Sequence, residues 1–249
     1  MSIAIACKDL EFDNIVAIIF DKDGTLENSL AFWRELGIQR ARLIDAQIPG
    51  VGEPLLMAFG IQDHTLDPKG LMAVGSRQEN EIAAAAYIAE TGRGWFEAKQ
   101  IASNAFTEIS ASKYLIKTPE SAPLFPEIRE VLKSLANAGL KLGIISADST
   151  PGVENFVTNH QLEECIQLKM GTDENISKPD PQLFIQACQA LGVKPKHTLM
   201  VGDSQGDIEM AVSAGAAGTI GVCRYGNVTD LASANGQIAS LSEVKILKS

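Results

Sequence analysis

The chain has 249 residues, 45% of them apolar, enough for a substantial buried core, and a formal net charge of −10. That acidity, without basic runs or basic-aromatic clusters, argues against nucleic acid or an anionic membrane surface as partner; an anionic substrate would need a local positive site or a metal. No apolar stretch approaches the roughly 20 residues of a membrane-spanning helix, and the N-terminus has no basic segment leading into a long apolar one, so the expected location is cytoplasmic.

Ile3-Ala4-Ile5-Ala6 followed by Lys8-Asp9-Leu10-Glu11 suits an edge strand or a hairpin. The unbroken apolar run Ile15 to Phe20, mostly β-branched, predicts a strand buried on both faces, as parallel sheets require. It leads into Asp21-Lys22-Asp23-Gly24-Thr25-Leu26. If the extended backbone continues, Asp21 and Asp23 project to one side and Lys22 to the other, away from any site. Taken alone, an Asp-x-Asp-Gly is equally a polar strand-to-helix turn.

Leu30, Trp33, Leu36, Arg40, Leu43 and Ile44 recur at helical spacing up to a break at Pro49-Gly50-Val51-Gly52. From Leu55 to about Leu115 the pattern stays helical and no strand is expected. Ser76 with Glu79 three residues on forms a capping box before an alanine-rich helix, Thr91-Gly92-Arg93-Gly94 ends that helix, and Trp95 to Ile109 supplies another. This span, 27–117, reads as a helical domain inserted between two sheet-forming regions, 1–26 and 118–249, and placed over the end of the first strand. Its Arg77, Arg93 and Trp95 stand near helix breaks and could face a substrate, but structural or surface roles are the preferred reading.

Beyond Pro126 the chain alternates helix and strand as βαβ units do. Helices are expected at 127–138, 151–160, 181–191 and 207–214, the first and third closed by Gly139 and Gly192. Strands are expected at 140–145, 165–168, 198–201 and 219–222, so the fold class is α/β with a parallel sheet core flanked by helices. The four cysteines, Cys7, Cys165, Cys188 and Cys223, follow no metal or disulfide spacing and read as small buried hydrophobes. His64, His160 and His197 are too dispersed for an evident metal site.

Several strands end in polar residues: Asp21 and Asp23 after the first, Ser146 after the second, Asp203 after a later one, with Asp207 four residues on. Lys178, just before Pro179, precedes the helix between the last two. In open parallel sheets such strand ends share the rim where ligands bind. Singly, Lys178 is a surface lysine and Ser146 a helix cap; the ordered set resembles the four motifs of the haloacid dehalogenase superfamily. The resemblance covers the Rossmann-like core, and the helical insertion resembles the family's C1 cap in position. Only 31 residues separate Ser146 from Lys178, which leaves no room for the other cap type.

This resemblance implies a Mg²⁺-dependent phosphatase acting on a small phosphorylated metabolite, in a phosphoglycolate-phosphatase-like subgroup, as a monomer or homodimer. By its motifs, Asp21 is the nucleophile that forms an aspartyl-phosphate, and Asp23 the general acid and base. Ser146 and Lys178 bind the phosphoryl group, and Asp21, Asp23 and Asp203 hold the metal, with Asp207 and Ser204 supporting them. A phosphosugar mutase shares the arrangement, and a phosphometabolite-binding protein without activity is the non-enzyme alternative. Lys22 stands where the family more often has an apolar residue, and Ser146 where threonine is commoner.

Overall fold

The computed structural model describes residues 3–112, 115–172, 176–224 and 231–247. The chain divides into two compact units: Met1–Asn28 with Pro123–Ser249, and Ser29–Ala122.

The first unit opens with the antiparallel hairpin β1 (Ile3–Cys7) and β2 (Leu10–Ile15), followed by β3 (Ala17–Phe20). The second unit holds α1 (Leu30–Gln47), α2 (Gly52–Phe59), the two-residue strands β4 (Ile61–Gln62) and β5 (Thr65–Leu66), α3 (Leu71–Val74), α4 (Arg77–Glu90) and α5 (Trp95–Ser110). The chain then supplies α6 (Ile128–Asn137), β6 (Lys141–Ser146), α7 (Thr150–Asn159), β7 (Leu168–Gly171), α8 (Pro181–Leu191) and β8 (Thr198–Gly202). It ends with α9 (Gln205–Ser213), β9 (Gly218–Val222), β10 (Gly236–Ile238) and β11 (Val244–Leu247).

Six strands form a parallel sheet in the order β10-β9-β8-β3-β6-β7, with β3 near its middle. The alternation along β3 explains how an all-apolar run fits there. Ala17 and Ile19 face a core built with Leu183, Phe184 and Cys188 of α8 and Met210 of α9. Ile18 and Phe20 face another, built with Leu132 of α6, Val153 and Phe156 of α7, and Ile5 and Phe12 of the hairpin. Strand β11 closes that hairpin into a three-stranded antiparallel sheet.

The helical unit has its own core, in which Ile44, Leu55, Phe59, Ile88 and Phe106 are buried together. Phe59 and Phe106 meet edge to face at 6.4 Å, and the buried Arg40 guanidinium lies 4.0 Å from the Phe106 ring. Ser76 caps α4 as the sequence predicts: its Oγ accepts from the Glu79 N–H, and the Glu79 carboxylate accepts from the Ser76 N–H at 2.7 Å.

Four expectations change. Ile15 ends β2, so the sheet strand starts at Ala17. The strand expected at 165–168 lies at Leu168–Gly171, because the Cys165 and Ile166 N–H groups turn back to the Leu162 carbonyl. The helical unit contains the hairpin β4–β5, turning at Asp63 with a positive φ of 51°; strands of two residues are too short to show alternation. The last two strands, β10 and β11, are not anticipated at all.

The cysteines are free, with Cys7, Cys165 and Cys188 buried, and burial pushes the Cys188 thiol up to about 11. Among the described residues, no helix is long and apolar enough to cross a membrane. Phe184 is fully buried between the sheet and α8. Phe184→Ala should therefore destabilise the protein by about 3–5 kcal/mol, measurable as a lower urea midpoint; a loss below 1 kcal/mol would contradict this packing.

Candidate active site

Strand β3 lies between β6 and β8, and all three run parallel, so their carboxyl ends share one edge of the sheet. The ladder continues one residue past β3, where the Asp21 N–H donates to the Val201 carbonyl at 2.8 Å. This fixes the Asp21 backbone, and the residue is only 6% exposed. The Lys178 ammonium contacts Asp21 Oδ1 at 2.5 Å and Asp207 Oδ1 at 2.6 Å. Lys178 is set in place by its loop, where the Asp180 N–H donates to the Ser177 carbonyl at 2.8 Å and the Asp180 side chain caps α8.

Asp207 sits in the first turn of α9 and is completely buried. Its Oδ2 accepts from the Ser204 hydroxyl at 2.6 Å and from the Ser204 N–H at 3.1 Å, a capping box that starts the helix. Gly202 makes room for it, since a Cβ at that position would lie 2.5 Å from the Asp207 carboxyl carbon. Asp203 accepts a long bond, 3.5 Å, from the Thr25 hydroxyl. Gly24 is left-handed with φ +76°, and a Cβ there would stand 2.0 Å from Asp203 Oδ2, so the Gly-Thr turn admits Asp203 for steric and conformational reasons together.

One carboxylate oxygen from each of Asp21, Asp203 and Asp207 lies within 4.8 Å of the others. Three carboxylates face one ammonium. Burial pushes the Asp21 carboxyl up to about 7; Lys178 opposes this, while Asp207 and Asp23 reinforce it. Asp203 is held well above the usual carboxylate range, by burial first and then by Asp21 and Asp207. Burial works against the Lys178 charge, but Asp207 and Asp21 outweigh it and hold the lysine protonated far above neutral pH. Both partners of the Asp21–Lys178 contact move upward, Asp21 first because it is buried and Lys178 because Asp207 and Asp21 outweigh its own burial. An all-oxygen donor set with that surplus of carboxylates fits a hard divalent cation such as Mg²⁺.

Ser146 ends β6 and is buried, and its Oγ accepts from the Asp148 N–H at 3.1 Å. Register places it at the same sheet edge, two residues beyond Ile144, which stands opposite Phe20. The structure thus joins Asp21, Lys178, Asp207 and Ser204 by direct contacts, sets an Asp203 oxygen within 4.8 Å of Asp21 and Asp207, pairs Asp23 with Lys22 instead, and brings Ser146 to their edge by strand order.

Lys22 requires a correction. The alternation that sends it away from Asp23 holds only while the chain is extended, and β3 stops at Phe20. Beyond it the Leu26 and Glu27 N–H groups both return to the Lys22 carbonyl, at 2.9 and 3.1 Å, and the chain turns. The Lys22 side chain is fully enclosed, its ammonium 2.7 Å from Asp23 Oδ2, 3.1 Å from Glu27 Oε1 and 3.2 Å from Asp148 Oδ2. Burial disfavours this charge, yet Asp23, Glu27 and Asp148 together hold its pKa well above the ordinary lysine value.

Glu27, Asp148 and Arg224 escape a reading by sequence. Arg224 donates to the Thr25 carbonyl at 3.1 Å and to Glu127 Oε1 at 2.7 Å, pinning the turn after Asp23. Asp148 lies two residues past Ser146, a proximity to a motif that is a visible if faint signal. In the helical unit, Arg77 pairs with Glu81 at 2.6 Å and Arg93 with Glu97 at 3.7 Å, as surface groups do.

The model of a haloacid dehalogenase-like hydrolase family matches residues 15–215. A phosphoglycolate phosphatase of Yersinia pestis is 30% identical over 212 residues, covering 83% of this chain and 80% of the relative. The phosphoglycolate phosphatase of Escherichia coli K12 is 30% identical over a shorter span, 45% of this chain and 46% of the relative. The crystal structure of a predicted phosphoglycolate phosphatase from Haemophilus somnus superposes with a TM-score of 0.65 at 24% identity, covering 92% of this chain and 96% of that one. A β-phosphoglucomutase from Clostridium difficile shares the fold, with a TM-score of 0.62 at 19% identity and 93% of each chain covered.

The raised Asp21 pKa carries a sign for stability. Folding retains a proton that the unfolded chain has released, so the contribution is fully present below the ordinary carboxyl value of 3.8 and is lost as pH rises to about 7. In EDTA, wild-type protein should lose urea stability relative to Asp21→Asn between about pH 4 and pH 7. Added Mg²⁺ should restore wild type at neutral pH far more than the variant. A stability difference that does not change with pH would contradict the burial and neighbouring charge that raise the Asp21 carboxyl.

Proposed function

Because the chain belongs to the haloacid dehalogenase-like hydrolase family, we propose that this enzyme is a Mg²⁺-dependent phosphatase hydrolysing a small-molecule phosphomonoester through an aspartyl-phosphate on Asp21. The observation that carries the reading is the buried Asp21 carboxylate at the end of β3, held by Lys178 within a cluster of further carboxylates. That is the environment of a nucleophile whose approach to an anionic phosphoryl group must be neutralised.

In the proposed reaction an Asp21 oxygen attacks phosphorus and the bond to the leaving oxygen breaks, with Asp23 giving that oxygen a proton. Water then attacks the aspartyl-phosphate and yields its proton to Asp23. The phosphorus–Asp21 bond breaks, releasing inorganic phosphate and regenerating both carboxyl groups. Lys178, fixed by Asp207, stabilises charge on the phosphoryl oxygens, and Ser146 donates a hydrogen bond to them. Asp21, Asp203 and the Asp23 main-chain carbonyl are assigned to Mg²⁺, which when bound offsets the repulsion between the carboxylates and the phosphate. Asp207 and Ser204 keep Lys178 and the start of α9 in place.

The helical unit Ser29–Ala122 is assigned the role of the family's cap domain, and substrate choice with it. Phosphoglycolate or a similarly small phosphomonoester is the favoured substrate class, supported by relatives that carry that name over most of this chain.

The test is phosphate release from p-nitrophenyl phosphate, phosphoglycolate, sugar phosphates and nucleotides, with and without Mg²⁺. Turnover should require the metal and vanish in Asp21→Asn, and Lys178→Met should lower kcat by about 10²–10³-fold. Folded, Mg²⁺-loaded protein that releases no phosphate from any compound would sink the reading.

A further inference from the structure

Among the described residues, Lys22 is the one fully enclosed cation whose place the reaction above does not explain. Its ammonium faces three carboxylates that come from separate parts of the chain: Asp23 and Glu27 from the turn after β3, and Asp148 from the loop after β6. Each of the other two acids is itself anchored. Glu27 is buried, its main chain bridges to Leu124, and its Oε2 lies 3.7 Å from Nε2 of the buried His160. The His160 carbonyl in turn accepts from Arg129 at 2.8 Å, and the imidazole lies tilted against Phe156 with ring centroids 4.9 Å apart, the Phe156 ring lying also 5.8 Å from the Lys22 ammonium. Asp148 accepts from the Ser149 N–H at 2.7 Å and donates its own N–H to Ser146 Oγ.

The lysine is thus gripped from two sides, and Asp23 is the member of the group that has a role in chemistry. A carboxylate on a turn has several rotamers open to it; an ammonium at 2.7 Å, itself immobilised by two other anions, selects one. The same ammonium also joins the turn bearing Asp23 to the loop bearing Ser146, two segments that must keep register on one phosphoryl group.

We infer that Lys22 is a positioning residue for the hydrolysis: clamped by Glu27 and Asp148, its ammonium fixes the Asp23 carboxylate in the orientation from which it serves the leaving oxygen. This rests on the phosphatase reading above and deepens it. Lys22 touches no reacting atom; it acts through Asp23.

A group that acts through a general acid matters most when the leaving oxygen needs a proton. The experiment therefore compares kcat/KM for p-nitrophenyl phosphate, whose leaving group departs readily, with that for the best alkyl phosphomonoester of the panel. In Lys22→Met the alkyl substrate should lose about 10²-fold and the aryl substrate less than about fivefold. Lys22→Met/Asp23→Asn should be no slower than Asp23→Asn alone, because the lysine has nothing left to orient. If stranding three carboxylates prevents folding, Lys22→Met/Glu27→Gln carries the same comparison with one fewer uncompensated anion. Equal losses on both substrates, or losses that add in the double variant, would overturn the inference and mark Lys22 as a structural ion only.

A readout independent of turnover accompanies these: in crystal structures of wild type and Lys22→Met, the Asp23 carboxylate should leave its wild-type position in the variant, and an unmoved carboxylate overturns the inference. Wild-type protein silent on every substrate would sink the phosphatase reading instead, and the Asp23 position would still decide whether the clamp exists.

Discussion

Everything at the end of β3 depends on how buried negative charge is compensated. Removing a carboxylate from water costs several kcal/mol, repaid only by close, well-directed partners. Asp21, Glu27 and Asp207 are almost wholly enclosed, and Asp203 is partly so. Two enclosed lysines answer them, and they divide the work. Lys178 holds Asp21 and Asp207, while Lys22 holds Asp23, Glu27 and Asp148. The two aspartates of the Asp-x-Asp sequence are consequently gripped by different cations, which allows neighbouring side chains of one chemical type to have different environments. On the Asp21 side carboxylates still outnumber the lysine, a surplus of the kind that a divalent cation would offset.

The sheet makes such a concentration of charge tolerable. Apolar contacts on both faces of β3, from α8 and α9 on one side and α6, α7 and the hairpin on the other, hold the strand whatever its tip carries. The tip then needs only local devices. The Asp21 N–H extends the ladder, Gly24 and Gly202 clear space for Asp203 and Asp207, and the Ser204 capping box aims Asp207 back at Lys178. None of these devices is itself apolar, so the stability of the unit and the arrangement of its charged groups rest on different residues.

That division also governs what was legible in the sequence. The Ile15–Phe20 run, the helical spacing through Leu30–Ile44 and the Ser76–Glu79 box are local patterns whose cause lies within a few residues, and the structure carries them with shifts of one or two positions. The Asp21, Lys178 and Asp207 cluster was legible only because its members stand at strand ends and helix starts, which parallel topology sends to one edge. Lys22 was not legible, since side-chain alternation ends with the strand at Phe20 and the chain turns beyond it. Its partner Asp148 lies far away in sequence, and nothing local marks that pair. β7 was displaced because apolar residues such as Cys165 and Ile166 bury themselves equally well in a turn.

The Lys22 group also shows why a single position cannot be judged by hydrophobicity. The site at residue 22 is fully enclosed, so an apolar side chain satisfies its burial as well as lysine does. What an apolar side chain cannot satisfy is the pair Glu27 and Asp148, which would then face Asp23 with no cation between them. Removing one partner of such a buried group costs about 3–5 kcal/mol, whereas replacing the whole group by well-packed apolar residues is close to neutral. Lys22, Glu27 and Asp148 therefore form one unit of sequence choice, with His160 behind Glu27 and Phe156 beneath the ammonium. Through it the turn that carries Asp23 is tied to α7 and to the loop after Ser146, so the orientation of one carboxylate depends on three segments.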